Sequence, residues 1–324
     1  MATKSLKELV PKELHECLSV FSDEEARRMP QHTDYDHKIE LKKDFIPKKS
    51  KVYRIDPVNE DAFNKFIDKN LAKGYIRKSE RDLPQAAGFF FIPKKDGKVR
   101  PVQDYRYLNE NTIKNAYPLP CIDELIDSLA GKKLFTKMDI RWGYNNICIH
   151  EGDEWKAVFI CKHGIFEPTV MFFGLTNSLA TFQAMMDNIF RIPIAQEWLK
   201  VYIDDVLIVN EGDIQDMIQK ILIVLKILKD NDLFVKPEKC HFFVTKVEFL
   251  GFIIEDGKIT MDPSKLKGIS DWPPLQTLKQ VRSFIGFCNF YRRFIDHYSD
   301  KCAPLNQLLR KTQPWIHGNR RRAF

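Results

Sequence analysis

Val201-Tyr202-Ile203-Asp204-Asp205-Val206-Leu207-Ile208-Val209 sets two adjacent carboxylates into an otherwise apolar run with the composition of two short strands. A strand-turn-strand unit of this kind can hold metal ions. An ionised carboxylate in an apolar setting costs on the order of several kcal/mol unless compensated, and two side by side also repel. A divalent cation removes both costs. Alone, the doublet reads equally well as an acidic hairpin turn on a solvated edge, because Asp is a common turn residue. A third carboxylate favours the metal. Leu134-Phe135-Thr136-Lys137-Met138-Asp139-Ile140 is an apolar-biased run carrying Asp139, 65 residues before Asp204. A strand there can lie beside the hairpin and deliver its Asp to the same point. Oxygen-only ligands suit hard Mg²⁺ or Mn²⁺. Two such ions about 4 Å apart activate an attacking hydroxyl and stabilise a leaving oxygen in phosphoryl transfer.

The chain has 324 residues, enough for two or three lobes, and 44% hydrophobic content, ordinary for a globular core. Formal charge is +7, and the base is clustered: Lys38 to Arg54 holds seven Lys/Arg against two acids, and Lys301 to Phe324 holds six against none. Clustered base suggests a polyanionic partner. The sequence has no run of about 20 apolar residues and no apolar signal core after Met1, which argues against membrane and export and for an intracellular setting. Seven scattered cysteines agree with reduced thiols. Cys148 with His150 and Cys161 with His163 are two i, i+2 pairs that can in principle make a tetrahedral zinc site, but the spacing matches no usual zinc module and strand alternation is the preferred reading.

Along the chain, residues 1–36 read as a polar, helix-like leader without chemistry. Residues 57–73 read as an amphipathic helix with Val58, Phe63, Phe66, Ile67 and Leu71 on one side. Phe89 to Ile92 and Val99 to Tyr105 flank an Asp96-Gly97 turn as a hairpin. Strands are expected at about 134–140, 144–149 and 156–161. Asn177 or Ser178 is expected to cap a helix presenting Leu179, Phe182, Met185, Met186 and Ile189. A second helix is expected at 214–228, a hairpin over Val247 to Ile259 with Asp256-Gly257 at its turn, and a helix rich in Phe, Tyr and Arg over Leu278 to Ile295. The apolar stripes are assigned to core faces. Mixed helices and antiparallel strands make an α+β protein.

Seven motifs then occur in order: Pro93-Lys94-Lys95-Asp96-Gly97, Asp104-Tyr105-Arg106-Tyr107-Leu108-Asn109, Tyr117-Pro118-Leu119-Pro120, Lys137-Met138-Asp139-Ile140, Phe173-Gly174-Leu175-Thr176-Asn177, Tyr202-Ile203-Asp204-Asp205 and Phe249-Leu250-Gly251-Phe252. Together they resemble the reverse transcriptase of gypsy-type LTR retrotransposons, the metaviruses, from about His37 to Phe324. The resemblance implies a right-hand polymerase fold of fingers, palm and thumb, with a ferredoxin-like palm. It divides the chain into the leader at 1–36, fingers and palm at 37–254, and thumb with the start of a connection at 255–324. It implies that Asp139, Asp204 and Asp205 are catalytic and, with the Ile140 carbonyl, hold two Mg²⁺ or Mn²⁺ ions. Lys94, Lys95 and Arg100 on the fingers hairpin would embrace the dNTP triphosphate, offsetting charge on the leaving group. Tyr144 would sit under the sugar and reject a 2′-hydroxyl, and Phe173 and Gly174 would lie against the nucleotide. Phe249, Leu250, Gly251, Lys236, Arg292 and Arg293 would contact primer and template.

The chain departs from the family pattern at Leu179, where Pro is usual, and at Asn145, where His is usual. Pro314-Trp315 and Ala323-Phe324 resemble the start of the connection to RNase H, so a polymerase segment cut before RNase H is expected. The implied activity is RNA- and DNA-templated DNA synthesis on a primed template. A non-catalytic nucleic-acid-binding remnant and a metal-dependent nuclease are the competing readings; a nuclease leaves the basic hairpin and Tyr144 unexplained. No address distinguishes a cytoplasmic particle from the nucleus, and the oligomeric state is left open.

Overall fold

The computed structural model describes residues 5–81, 83–93, 97, 99–255 and 257–310. Lys94, Lys95 and Asp96 of the fingers motif, Asp256 of the second turn, and Pro314, Trp315, Ala323 and Phe324 of the C-terminal motif lie outside them. The chain forms two compact units: residues up to Ser128 together with Lys132–Thr245, and Leu129–Gly131 together with the chain from Lys246 on.

The first unit carries nine strands in chain order: β1 (Ile76–Lys78), β2 (Ala87–Pro93), β3 (Val99–Gln103), β4 (Leu134–Asp139), β5 (Phe159–Cys161), β6 (Gly164–Pro168), β7 (Leu199–Tyr202), β8 (Asp205–Asn210) and β9 (His241–Val244). They build two sheets. One runs β1-β6-β5-β2-β3, the other β7-β8-β4-β9 with antiparallel pairing throughout. Each sheet covers its own core. Met138, Ile140, Val206 and Ile208 of the second sheet are buried with Met217, Ile221, Val224, Leu225 and Leu228 of the helix Ile214–Asp230. The i, i+4, i+7, i+8, i+11 spacing of those five helix residues puts them on one face, and each fully buried aliphatic side chain stabilises by roughly 1.5–3 kcal/mol as an upper bound. The other core gathers Phe63, Phe89, Phe159, Phe166 and Tyr105, whose hydroxyl donates to the Ala157 carbonyl at 2.8 Å.

The second unit is a three-stranded antiparallel sheet, β10 (Lys246–Phe249), β11 (Phe252–Glu255) and β12 (Lys258–Met261), followed by helices Pro263–Ser270, Leu278–Phe290 and Tyr298–Leu308. Its cores are aromatic. Phe252 stacks on Phe290 at 5.3 Å, and Trp272 meets Phe284 edge-on. A capping box closes the start of Leu278–Phe290: the Thr277 hydroxyl accepts from the Gln280 N–H, and the Gln280 side chain takes the Thr277 N–H.

Several expectations are corrected. Residues 1–36 are no detached leader, because Val10, Leu14, Val20 and Phe21 sit in the core beside Ile214–Asp230. The 3₁₀ segment Lys12–Phe21, kinked at Cys17, carries its apolar face at Leu14, Cys17, Leu18 and Phe21, one helical side among residues that are otherwise mostly polar. Residues 144–149 do not form a strand. Trp142 turns left-handed at φ 53°, and the Asn145 and Asn146 side chains donate to the carbonyls of Met171 and Arg141, competing with a ladder. Val58 is exposed, since its turn (Pro57–Asn59) is a 3₁₀ lead-in and the α-helix starts at Glu60. Glu255 pairs with Lys258 between β11 and β12, and Val247 belongs to the preceding strand, β10, opposite Ile254.

His37 is buried, bridging its backbone to Cys148 and His150 and its ring to the Thr181 hydroxyl at 3.1 Å. Burial, opposed by the nearby Asp153 charge, lowers its pKa from 6.5 to about 4. Between these values the unfolded chain binds a proton that the folded chain refuses. This contribution is therefore fully present above pH 6.5 and is lost as pH falls towards 4, by up to about 3 kcal/mol. Urea unfolding of the parent and of His37→Asn across this window should show the parent's advantage shrinking with acid; a constant difference would contradict it.

Candidate active site

The site begins with strand register. β4 and β8 pair so that Asp139 lies directly opposite Asp205, while Met138 and Ile140 point into the core. The period of two makes this obligatory once the core face is fixed. Tyr202 pairs with Asp205, so the two-residue turn is Ile203-Asp204, and Asp205 is the first residue of β8. The doublet is thus split between turn and strand. The Ile140 N–H donates to the Asp204 carbonyl at 3.1 Å, tying the end of β4 to the turn.

Ile203 adopts φ 56°. A two-residue hairpin requires positive φ at its first central position, where a β-branched residue is strained. What holds it is Gln183, wholly buried in the helix Ser178–Ile189. Its side-chain oxygen accepts the Ile203 N–H at 2.7 Å, its amide donates to Asp187 at 2.8 Å, and Asp187 accepts the Tyr117 hydroxyl at 2.7 Å. Gln183, Asp187 and Tyr117 were not among the expected site residues, because nothing local in the sequence links Gln183 to a turn 20 positions away.

The electrostatics are those of crowded anions held by cations. Lys236 and Lys239 donate to the two oxygens of Asp139 at 2.7 and 2.9 Å, and Lys137 pairs with Asp205 at 3.1 Å. Burial raises the Asp139 pKa, but the two ammonium groups outweigh it and hold the carboxyl below its ordinary value. Burial, with the charges of Asp205 and Asp139, pushes Asp204 up. Among the described residues the three carboxylates do not close to mutual oxygen distances within 4.8 Å. Lys236, expected on primer and template, contacts Asp139 in this structure. Lys239 and Lys137 were not anticipated.

Tyr144 follows on a 3₁₀ turn, Gly143–Asn146. A Cβ on Gly143 would stand 3.5 Å from the Asp204 Cβ, so this turn packs directly on the hairpin. The Tyr144 ring meets Phe173 edge-on at 5.0 Å and Phe182 at 5.7 Å, and burial with the Asp204 charge pushes its hydroxyl up to about 12. Phe173 is 61% exposed, an aromatic open to solvent beside that ring. Gly174 has φ 96°, a conformation that L side chains rarely adopt. Asn177 does not cap its helix. At φ 69° it accepts the Asn115 N–H and donates to the Ile113 carbonyl. Arg100 is exposed on β3, opposite Ile92.

In the second unit, Phe249 is fully buried and Leu250-Gly251 make the left-handed turn into β11, at φ 51° and 84°. The Tyr291 hydroxyl donates to the Gly251 carbonyl at 3.4 Å. Arg292 and Arg293 lie on the exposed 3₁₀ turn that follows the helix Leu278–Phe290. Among the described residues no helix is long and apolar enough to cross a membrane.

A carboxylate pair on adjacent antiparallel strands, within this arrangement of sheets and helices, defines a right-hand nucleic-acid polymerase. Residues 92–254 match the family model described as reverse transcriptase (RNA-dependent DNA polymerase), and the chain belongs to that family. Two relatives, the Transposon Tf2-3 and Tf2-7 polyproteins of Schizosaccharomyces pombe, are each 33% identical over 263 residues, covering 81% of this chain and 19% of their own length. Both are transposon polyproteins, in line with the gypsy-type resemblance. Among solved structures, a foamy viral protease-reverse transcriptase in complex with double-stranded DNA superposes with a TM-score of 0.81 at 22% identity, covering 96% of this chain and 56% of that one. The foamy viral enzyme in complex with an RNA/DNA hybrid gives 0.76 at 22% identity, covering 96% and 43%.

Replacing Gln183 by Leu should strand the Ile203 N–H and cost about 1–3 kcal/mol. The expected result is a melting temperature several degrees lower, measured by thermal denaturation, with the helix content of the folded state unchanged. An unaltered transition would show that the turn holds itself.

Proposed function

We propose that this chain is an RNA- and DNA-directed DNA polymerase that extends a primer 3′-hydroxyl with dNTPs as part of retrotransposon replication inside the cell. The register of Asp139 against Asp205, with Asp204 tied to Ile140 at the turn, carries the proposal. The fit to metal is supported by the cluster itself. The donors are all oxygen, and ammonium groups already stand against Asp139 and Asp205, as cations would. Asp139, Asp204, Asp205 and the Ile140 carbonyl would hold two Mg²⁺ or Mn²⁺ ions. When bound, such ions lower the pKa of the attacking hydroxyl and neutralise charge on the leaving pyrophosphate.

The remaining roles belong to the chain's own groups. Lys94, Lys95 and Arg100 would receive the triphosphate, and Phe173 and Gly174 would line the nucleotide. The Tyr144 ring, fixed by Phe182 and Phe173, would stand under the sugar, where a 2′-hydroxyl collides with it. Residues 37–254 would then act as fingers and palm and 255–324 as thumb and connection. Phe249, Leu250, Gly251, Arg292 and Arg293 would follow primer and template, and Lys236 would release Asp139 when metal binds. Leu179 and Asn145 would affect rate or fidelity, leaving the reaction itself unchanged.

The test is dTTP incorporation on poly(rA)/oligo(dT) with Mg²⁺ or Mn²⁺. Asp204→Asn and Asp139→Asn should each lower the rate by about a thousandfold or more while primer-template binding persists. Substantial synthesis by either variant would refute the assignment. Silence in the parent, with duplex still bound, would favour the non-catalytic remnant. Tyr144→Ala should raise the rUTP/dUTP incorporation ratio by roughly tenfold or more, at a small cost in dUTP rate. An unchanged ratio would remove Tyr144 from the sugar.

A further inference from the structure

Away from the carboxylates, three potential ligands of different chemistry converge. His32, Asp36 and Cys148 each direct one donor atom to within 4.8 Å of the others, the one such group among the described residues. The set of Cys148, His150, Cys161 and His163, to which strand alternation was preferred, does not assemble. Cys161 Sγ faces the Gly164 carbonyl, and His163 stacks on Phe63.

The frame around the three is built from backbone. The His37 N–H donates to the Cys148 carbonyl at 2.8 Å and the His150 N–H to the His37 carbonyl at 3.0 Å, so Asp36 and Cys148 are neighbours across a fixed bridge. The Asp36 carboxylate is itself oriented. One oxygen accepts the Thr33 N–H at 3.0 Å, which turns the other to His32 Nδ1, in direct hydrogen-bond contact. The Asp36 side chain is 8% exposed, Cys148 is buried, and its thiol donates to the Pro30 carbonyl at 3.3 Å. A His-Asp hydrogen bond on a surface needs neither a buried thiol beneath it nor an oriented carboxylate. The open side of the cluster gives onto a cavity of about 410 Å³ lined by His32, Asp34, Asp36, Lys38, His150 and Glu151. Three acids there face one lysine, a surround that favours a cation.

We propose that His32, Asp36 and Cys148 bind a Zn²⁺ ion that staples the segment around Pro30–His37 to the chain at Cys148. Mixed nitrogen, oxygen and thiolate donors suit this borderline metal and not Mg²⁺. Binding replaces the His32–Asp36 hydrogen bond and releases the Cys148 thiol proton to solvent. The fourth position opens on the cavity, where water completes the tetrahedron. The site is separate from the metal site of the proposed polymerase and stands whether or not the chain polymerises.

The experiment uses the full chain, freed of metal by chelation and titrated with Co²⁺ and then Zn²⁺. Thiolate ligation should give one equivalent of Co²⁺ with a sulfur-to-metal charge-transfer band, which Zn²⁺ then abolishes and carboxylate-bound Co²⁺ cannot produce. Cys148→Ser should remove the band. His32→Ala and Asp36→Asn should each raise the Zn²⁺ dissociation constant by tenfold or more in competition with a chromophoric chelator. No band in the parent, or a band that survives Cys148→Ser, would overturn the proposal. Should Cys148→Ser fail to fold, exposed His32 decides: an unchanged constant in His32→Ala would equally overturn it.

Discussion

The antiparallel pairing of β4 with β8 is the constraint on which the site depends. The apolar face of each strand is committed to the core beneath the helix Ile214–Asp230, so the opposite face of β4 must carry Lys137 and Asp139. A slip of one residue would bury Asp139 and expose Met138, at a cost of several kcal/mol, roughly. Hydrophobic burial therefore fixes the position of a carboxylate that contributes nothing to burial itself. The turn adds a cost of its own. Ile203 sits in a conformation its branched side chain disfavours, and Gln183 with its Asp187–Tyr117 relay is what makes that conformation tenable.

Anion crowding explains the lysines. Three carboxylates near one strand pair repel, and burial together with the Asp205 and Asp139 charges raises the Asp204 pKa. Lys236 and Lys239 arrive on a single 3₁₀ turn, Pro237–Lys239, whose entry is pinned by the Lys236 N–H donating to the Asp139 carbonyl at 3.0 Å. Backbone and side chain of Lys236 thus address the same aspartate. Monovalent ammonium groups on flexible stems thus compensate the cluster, and under the proposed function they would withdraw as divalent ions took the same oxygens.

What the sequence disclosed, and what it concealed, follows from range. Asp139, Asp204 and Asp205 were legible because polar residues interrupting apolar strands announce themselves locally, and seven ordered motifs made the family plain. The antiparallel pairing of β2 with β3 and the helix Ile214–Asp230 were legible from turn chemistry and period. The core role of Leu14 and Phe21 was not, since they stand among Lys12, Glu13, His15 and Glu16 in a segment that reads as polar overall. The 144–149 segment misled because its alternation is strand-like, while Asn145 and Asn146 satisfy backbone groups that a neighbouring strand would need. Gln183, Lys236 and Lys239 act across 20 to about 100 positions of chain. No local pattern encodes such partners; only the register of the sheet does.

That same mis-read segment links the nucleotide side of the site to the N-terminal residues. From Tyr144 the chain runs four residues to Cys148, held on one side by the Met171 N–H donating to Ile147 at 2.9 Å and on the other by His37. This short span is held at both ends. Phe182 and Phe173 clamp the first end, and the His37 bridge clamps the second. The bridge at His37, directly after the N-terminal segment, thus ties that segment to the strand-like stretch that follows Tyr144. The segment's core contacts at Val10, Leu14, Val20 and Phe21 anchor it to the sheet that carries the carboxylates.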